Sequence, residues 1–536
     1  MEGHFTILDW LVLGAYFVGT MAIGVLFHRR SRSAEGYTAA DRSLPGWVCG
    51  LSIFATYLSS ISFLALPGKA YASNWNAFVF SLSLPVATWL AVRFFLPYYR
   101  RSGEVSAYAL LERRFGPWAR GYVSLFYLLT QLARMGVVMY LIALSLHVLL
   151  GWSLWTIILV TGLSVTAYAL IGGIAAVIWA DAVQAIVLMG GAGLCAVLML
   201  VLMPGGAGRV FTVAAEHHKF SLGAMNWSWT VPTFWMVLLY GVVINLQNFG
   251  IDQSYIQRYI ASKSDREARK SLWLGGLLYV PISALFFFIG TELFAFYRTQ
   301  PQALAEVRQI AARRVVLQKG MDPGDPGFEV ACEAQSRTLK PDQVGDAVFP
   351  HFIGRMLPPG VTGLLIAAIF AAGMSTVSTS LNSSATLVVG DWYRRYIRPR
   401  AQAGETLTAL YVATAVWGVA GTAVALWMTR AGGSVLDVWW TWSGILGGGM
   451  LGLFLLGRIS RAANAPAVLG VLLGLFVIAW ATLSIKTDWI PAAWRGGVHE
   501  FVIPVMGVTT ILLTGLVLTT AGWTIARLRG SGHGPR

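Results

Sequence analysis

The sequence predicts an all-α polytopic membrane protein, and three observations carry that reading. Apolar residues make up 56% of the 536 and charged residues only 12%, with a mean hydropathy of +0.64, whereas a soluble domain carries about 25% charge. Thirteen stretches supply the run of mostly apolar residues that a helix needs to cross the hydrocarbon core. The loops between them alternate between rich and poor in Lys and Arg.

The first span, 8–27, has Glu2, His4 and Asp9 at its front and no small-residue cleavage site, so it reads as a retained helix and not a signal peptide. The second, 46–68, is polar in its middle, Phe54-Ala55-Thr56-Tyr57-Leu58-Ser59-Ser60-Ile61-Ser62, and runs into Pro67-Gly68, the pattern of a helix that unwinds inside the membrane. Spans at 76–97, 121–150, 153–171 and 175–203 follow. The seventh, 231–251, contains Asn245-Leu246-Gln247-Asn248-Phe249-Gly250 and reads as a second broken helix, five spans after the first. Interhelical hydrogen bonding by the amides is the other reading of that stretch.

After the eighth span, 272–297, comes the one large extramembrane piece, 298–350. Within it Gln302 to Lys319 reads as an amphipathic helix and Asp322-Pro323-Gly324-Asp325-Pro326-Gly327 as a turn cluster. The ninth span, 357–389, holds Ser375, Thr376, Ser378, Thr379, Ser380, Asn382, Ser383, Ser384 and Thr386. Each hydroxyl inside a membrane needs a partner, either a neighbouring helix, water or something carried through. An oxygen-rich, charge-poor surface suits a monovalent cation, because hydroxyls and carbonyls replace its water shell without holding it too tightly to leave. The last four spans are 406–429, 436–456, 464–484 and 501–524, and Gly447-Gly448-Gly449 within them reads as helix packing, since no strand precedes it.

The net charge of +15 is topological and does not call for a nucleic-acid partner. Of the basic residues, 23 fall in loops on one side and six on the other, with eight in the long 298–356 connection. Long loops count little in the positive-inside rule, so the rich side is expected in the cytoplasm, the amino terminus outside and the carboxyl terminus inside, as in a bacterial inner membrane. Cys49, Cys195 and Cys332 lie far apart and suggest neither a disulfide framework nor a metal site. Among eight histidines only His217 and His218 are adjacent, and no His-Glu-x-x-His spacing occurs. These absences argue against an enzyme, and no tightly bound organic cofactor is expected.

Two intramembrane charges mark the functional core. Arg134 stands about 20 Å of helix into its span, near the midplane, where a guanidinium faces the bundle interior. It either pairs with Asp181, early in the sixth span, or the two have separate work: the planar fork of Arg134 suits a carboxylate, and Asp181 suits a cation.

Four motifs together resemble the sodium:solute symporter family over nearly the whole chain. Ser106-Ala107-Tyr108-Ala109-Leu110-Leu111-Glu112-Arg113-Arg114-Phe115-Gly116 is similar to the signature before the third core helix, and Trp179-Ala180-Asp181-Ala182-Val183-Gln184 to the motif on the fifth. Asp252-Gln253-Ser254-Tyr255-Ile256-Gln257-Arg258-Tyr259 resembles its Gln-Arg-Tyr motif, and the Ser375 region with Asp391-Trp392-Tyr393-Arg394-Arg395 its eighth core helix. The resemblance implies the amino-acid/sodium symporter (LeuT-like) fold of inverted five-helix repeats. It divides the chain into a leading helix and loop (1–45), a first repeat (46–204), a second repeat (205–456) and two trailing helices with a short tail (457–536).

Carried over residue by residue, it implies a first sodium site from the carbonyls of Ala55, Leu58 and Ala372 with the hydroxyls of Ser375 and Thr376. A second would use Asp181, Ser375, Ser378 and Thr379, giving two sodium ions per cycle. Around Arg134, Gln131-Leu132-Ala133-Arg134-Met135-Gly136 resembles the bacterial sodium/sialic acid symporters, whose arginine holds the sugar acid's carboxylate. Tyr57, Ser59, Ser60, Ser62 and Ser81, with Asn245 or Gln247 opposite, are then expected to face the rest of the ligand. Where those carriers present an amide on the second core helix, this chain has Ser81 and Ser83. The expected function is sodium-coupled symport of sialic acid or a related sugar acid or organic anion, with a neutral sugar or other small solute as the alternative.

Overall fold

The computed structural model describes residues 5–322, 324–431, 447, 449–460 and 463–528, and among them no β-strand forms. Hydrocarbon offers backbone groups no water, so a spanning chain satisfies them within helices. The leading helix α1 (Ile7–Phe27) starts in a capping box, in which Thr6 accepts from the Asp9 N–H and Asp9 accepts from the Thr6 N–H at 2.9 Å. The other carboxylate oxygen of Asp9 accepts from the N–H groups of Gly360 and Gly363 at 2.8 and 2.7 Å.

The second span is broken as expected. Helices α2 (Gly46–Tyr57) and α3 (Ser60–Ala72) meet at a 56° bend. Leu58 and Ser59 have extended ψ values of 95° and 163°, and the Ser59 hydroxyl caps the second half by accepting from the Ser62 N–H. Lys219, from the connection before the seventh span, donates to the carbonyls of Ala70, Tyr71 and Ser73 at 2.6–3.2 Å and closes the far end of α3. Next come α4 (Trp75–Ser102) and α5 (Pro117–Leu150).

Helix α6 (Leu154–Val201) has 48 residues, about 72 Å at 1.5 Å per residue, too long to cross once. At Gly173 the backbone turns to φ 55°, ψ −154°. A Cβ there would lie 2.9 Å from the Tyr37 ring and 3.0 Å from the Tyr37 carbonyl oxygen, so the position needs both the conformational freedom and the small size of glycine. Residues 154–172 and 174–201 are therefore two spans, matching the fifth and sixth read from the sequence.

The seventh span corrects the expected position of the second break. Helix α7 (Phe234–Ile251) runs unbroken through 245–250, and the interruption falls at Asp252. Its ψ of 122° ends α7, and its carboxylate caps α8 (Gln253–Ile260) by accepting from the Ser254 N–H at 2.8 Å. The amides that suggested a break reach other segments instead: Asn245 donates to the Ser83 hydroxyl at 2.8 Å and Gln247 to the Gly447 carbonyl at 3.3 Å. They do not compete for the backbone of their own helix.

After α9 (Asp265–Thr299) the long connection folds into α10 (Pro301–Gln318), α11 (Phe328–Arg337) and α12 (Pro341–Arg355). Helix α10 buries Ala303, Val307, Ala311 and Ala312, one face at a helical repeat. Helix α12 packs against α3, where a Cβ on Gly68 would sit 2.8 Å from the Gly345 carbonyl oxygen. Helix α13 (Val361–Leu387) is the most enclosed span, with 89% of its apolar window buried against 17% for α1, and it packs on α6, α5, α1 and α2. The chain closes with α14 (Ala403–Ala431), α15 (Met450–Ile459), α16 (Asn464–Lys486) and α17 (Val502–Leu528).

Eleven candidate spans are present with the bent pair taken as one, and division at Gly173 makes twelve. Of the expected eleventh span, 436–456, residues 436–446 and 448 lie outside the described residues, and 450–456 belong to α15. The repeat boundary expected at 456 falls inside α15.

Candidate functional site

Asp181 on α6 and Arg258 on α8 form an ion pair at the meeting point of four helices. Arg258 Nη2 donates to Asp181 Oδ2 at 2.8 Å, and their side chains are 1% and 0% exposed. Ser52 of α2 donates to the same carboxylate oxygen at 2.6 Å and accepts from Arg258 Nε at 2.6 Å. Arg258 also donates to the Thr379 hydroxyl of α13. One reading is corrected here and one alternative is closed. The count of loop charges puts Arg258 in a cytoplasmic loop, yet every residue of α8 is buried, because after the break at Asp252 this helix packs against α2 and α13. Asp181 pairs with Arg258 and not with Arg134. Ser52 and Arg258 are the residues that sequence reasoning missed, although Arg258 stands within the Gln-Arg-Tyr motif.

The hydroxyls of α13 face this pair and the break of α2–α3. Thr379 Oγ1 lies 3.2 Å from the Thr56 hydroxyl, Ser378 donates to the Ser375 carbonyl at 3.0 Å, and Thr376 donates to the Ala372 carbonyl at 3.1 Å. Ser375 Oγ and Asp181 Oδ1 are buried and lack a hydrogen-bond partner among the described residues. Where α2 stops, the Leu58 N–H bonds to the Phe54 carbonyl at 3.0 Å, and the carbonyls after it, Ala55 among them, have no partner within the helix. Native interiors rarely leave such oxygens unpaired. One uncompensated carboxylate oxygen with hydroxyls and carbonyls is a donor set that fits a hard monovalent cation.

On the other side of the break, Tyr57 donates to Asn245 Oδ1, and its ring packs on Tyr279 at 4.4 Å between centroids. Asn245 is thereby held between Tyr57 and Ser83. Ser81 hydrogen-bonds instead to Ser283 of α9 at 2.8 Å, so Ser83 is the serine of this helix that meets Asn245. Ser59 and Ser62 lie 3.2 Å apart at the break; the side chain of Ser60 lies outside the described residues. Arg134, on α5, is half-buried and has no ion-pair partner among the described residues. Three residues before it, Gln131 accepts from the Ser380 hydroxyl of α13 at 2.6 Å, and α5 also packs on α3. The segment of α5 that carries Arg134 therefore lies beside the hydroxyl helix and the second half of the broken span. No group of three His, Cys, Asp or Glu residues able to hold a metal occurs among the described residues.

Two interrupted spans five apart, with a hydroxyl-rich helix packed on the first break, define a secondary transporter of the amino-acid/sodium symporter (LeuT-like) fold. The chain belongs to the sodium:solute symporter family, whose profile matches residues 37–318 and 327–474. It is 30% identical over 522 residues to the sodium/sialic acid symporter SiaT of Proteus mirabilis, covering 96% of each chain. To the sodium/sialic acid symporter NanT of Aliivibrio fischeri it is 32% identical over 488 residues, covering 89% of this chain and 88% of that one. A solved structure of a Na+-coupled sialic acid symporter, substrate-bound and outward-open, superposes with a TM-score of 0.82 at 29% identity, over 96% of this chain and 98% of that one. The protein is thus a multi-pass sodium-coupled symporter of a small solute, a transporter and not an enzyme.

Proposed function

We propose that the protein takes up a carboxylated solute, sialic acid or a related sugar acid or organic anion, with two sodium ions by alternating access. Arg134 carries this reading: it is a half-buried guanidinium in a spanning helix that packs against α13 and α3, with no carboxylate partner among the described residues. A substrate carboxylate would supply the missing charge and accept two parallel N–H bonds. Tyr57, Asn245, Gln247 and the serines at 59, 60, 62 and 81 would surround the rest of the ligand. Asn245 is already bonded to Tyr57 and Ser83, so binding there exchanges those bonds for new ones. The two relatives above, both named sodium/sialic acid symporters, support sialic acid as the first candidate.

The first sodium ion is assigned to the carbonyls of Ala55, Leu58 and Ala372 with Ser375 and Thr376. The second is assigned to Asp181, Ser375, Ser378 and Thr379. An ion in the first site ties α2 to α13 and favours the state in which substrate binds, so coupling arises from differential affinity between two states. Two sodium ions with one monoanion carry one net positive charge inward, which gains about 2.3 kcal/mol per 100 mV of membrane potential. The reading places the protein in a bacterial inner membrane with its amino terminus outside and its carboxyl terminus in the cytoplasm. It assigns no organic cofactor and no nucleic-acid partner.

The test is uptake of labelled sialic acid into proteoliposomes with sodium outside and a negative interior, for wild type and Arg134→Ala. Sodium-dependent uptake that the substitution abolishes is the expected result. Uptake unaffected by it would overturn the carboxylate clamp, and no uptake by a preparation that still binds sodium would move the search to other organic anions and to neutral sugars.

A further inference from the structure

Two cavities meet at the start of α9 on the arginine-rich face of the protein. One, about 340 Å³, is lined by Arg93, Arg101, Arg269 and Arg458, with Asp265 as its single acid. Asp265 is already bonded to Arg100 at 2.8 Å, and none of the four lining arginines has a carboxylate partner among the described residues. The other, about 980 Å³, also borders Asp265 and Arg269 and is lined by Trp47, Trp273, Leu274, Leu277 and Leu278. Its acid Glu267 is taken up by Lys270 at 3.0 Å and by the Gly46 N–H at 2.8 Å. Trp47 and Leu277 are 51% and 45% exposed.

We propose that these cavities are the two halves of a binding site for an anionic phospholipid, with the headgroup among the four arginines and an acyl chain along the tryptophan and leucine groove. Positive-inside topology asks only for basic residues in loops. It does not require four arginines from three separate segments to converge on one cavity with no acid left to neutralise them. Guanidinium groups pair with phosphate through parallel N–H bonds. Tryptophans at the headgroup level mark the membrane interface, and an apolar groove opening beside them faces acyl chains. Basic pockets between spanning helices hold anionic headgroups by the same physics.

The test is native mass spectrometry of the purified transporter equilibrated with equal amounts of phosphatidylglycerol and phosphatidylcholine. Wild type is expected to retain one phosphatidylglycerol in preference, and Arg93→Gln/Arg101→Gln/Arg269→Gln/Arg458→Gln to lose that preference, by roughly fivefold for each arginine removed. Should the fourfold variant fail to fold, the pairs Arg93→Gln/Arg458→Gln and Arg101→Gln/Arg269→Gln carry the same reading. Trp273→Ala is expected to weaken retention without changing headgroup preference. Equal retention of the two lipids by wild type, or unchanged preference in the variants, would overturn the site. Displacement of the lipid by inorganic phosphate at equal concentration would also overturn it and assign the arginine cavity to a free anion.

Discussion

Asp181 and Arg258 pair at 2.8 Å through one carboxylate oxygen only, and the second oxygen of Asp181 faces the bundle interior with no hydrogen-bond partner among the described residues. The unpartnered hydroxyl of Ser375 is buried on the helix that packs against it. The arginine therefore fixes the carboxylate in place while leaving one oxygen available. A sodium ion bound there would share its anion with a guanidinium, and two unit charges about 5 Å apart repel by about 3 kcal/mol at an effective dielectric of about 20. An ion held this way binds more weakly than it would at an isolated aspartate, which suits a coupling ion that has to leave on every cycle.

Removing one partner of this pair should cost far more than removing both. Asp181→Asn leaves Arg258 buried and uncompensated, a loss of about 3–5 kcal/mol, and should lower the thermal unfolding midpoint in detergent. Asp181→Asn/Arg258→Gln, which leaves no buried charge, should recover part of that loss. If the second sodium ion binds at Asp181, the single variant should also reduce the Hill coefficient for sodium in uptake from near two toward one. A single variant that keeps both its midpoint and its sodium cooperativity would refute the structural and the ionic role together.

Ser375 sits in both proposed ion sites, and its buried hydroxyl lies close to the Asp181 carboxylate without a hydrogen bond of good geometry to any described residue. Removing an unpartnered hydroxyl leaves nothing else unsatisfied, so Ser375→Ala should fold with an unchanged or slightly raised midpoint in sodium-free buffer. A missing ligand worth about 1–1.5 kcal/mol should raise half-saturating sodium roughly tenfold in uptake assays. Unchanged sodium dependence would sink the assignment of Ser375 to either ion.

Gly173 makes a purely conformational prediction. Gly173→Ala puts a Cβ against Tyr37 and asks an L side chain to hold a positive φ. The expected result is a lower unfolding midpoint and reduced yield in the membrane, with half-saturating sodium unchanged in the protein that folds. A normal midpoint would mean that the two spans of α6 are joined in some other way.

The parts of this architecture that the sequence displays are those with a local chemical signature. Ser59 and Ser60 in an apolar run, followed by Pro67 and Gly68, announce the first break because few other residues would be placed there. The hydroxyl cluster of α13 is legible for the same reason. The second break was less so, since Asn245 and Gln247 look like helix breakers in one dimension while their partners, Ser83 and Gly447, are distant in the chain. Burial of Arg258 is hidden by the same break: until α8 is known to pack against α2 and α13, a sequence with Arg258, Lys263, Arg266 and Arg269 reads as one basic loop. Asp181 could be recognised as intramembrane from its flanks, but its partner depended on tertiary geometry.

The helices of the long connection carry a pH-sensitive contact. His351 of α12 is bonded through Nδ1 to the Tyr297 hydroxyl of α9 at 2.7 Å and through Nε2 to Glu306 of α10 at 3.2 Å, and α12 in turn packs on α3. Burial pushes the His351 pKa below its ordinary 6.5, although Glu306 pulls it the other way and Arg355 adds to the lowering. With the folded value depressed, the unfolded chain takes up the proton first as pH falls. The stability that this contact contributes is therefore full above pH 6.5 and declines as pH drops from there through the folded pKa. Unfolding midpoints measured from pH 7.5 to pH 5 should fall across the lower part of that range, and His351→Gln, which retains hydrogen-bonding capacity but does not titrate, should flatten the decline. An equal decline in the variant would assign the acid sensitivity to other groups and leave His351 as a packing residue between α9, α10 and α12.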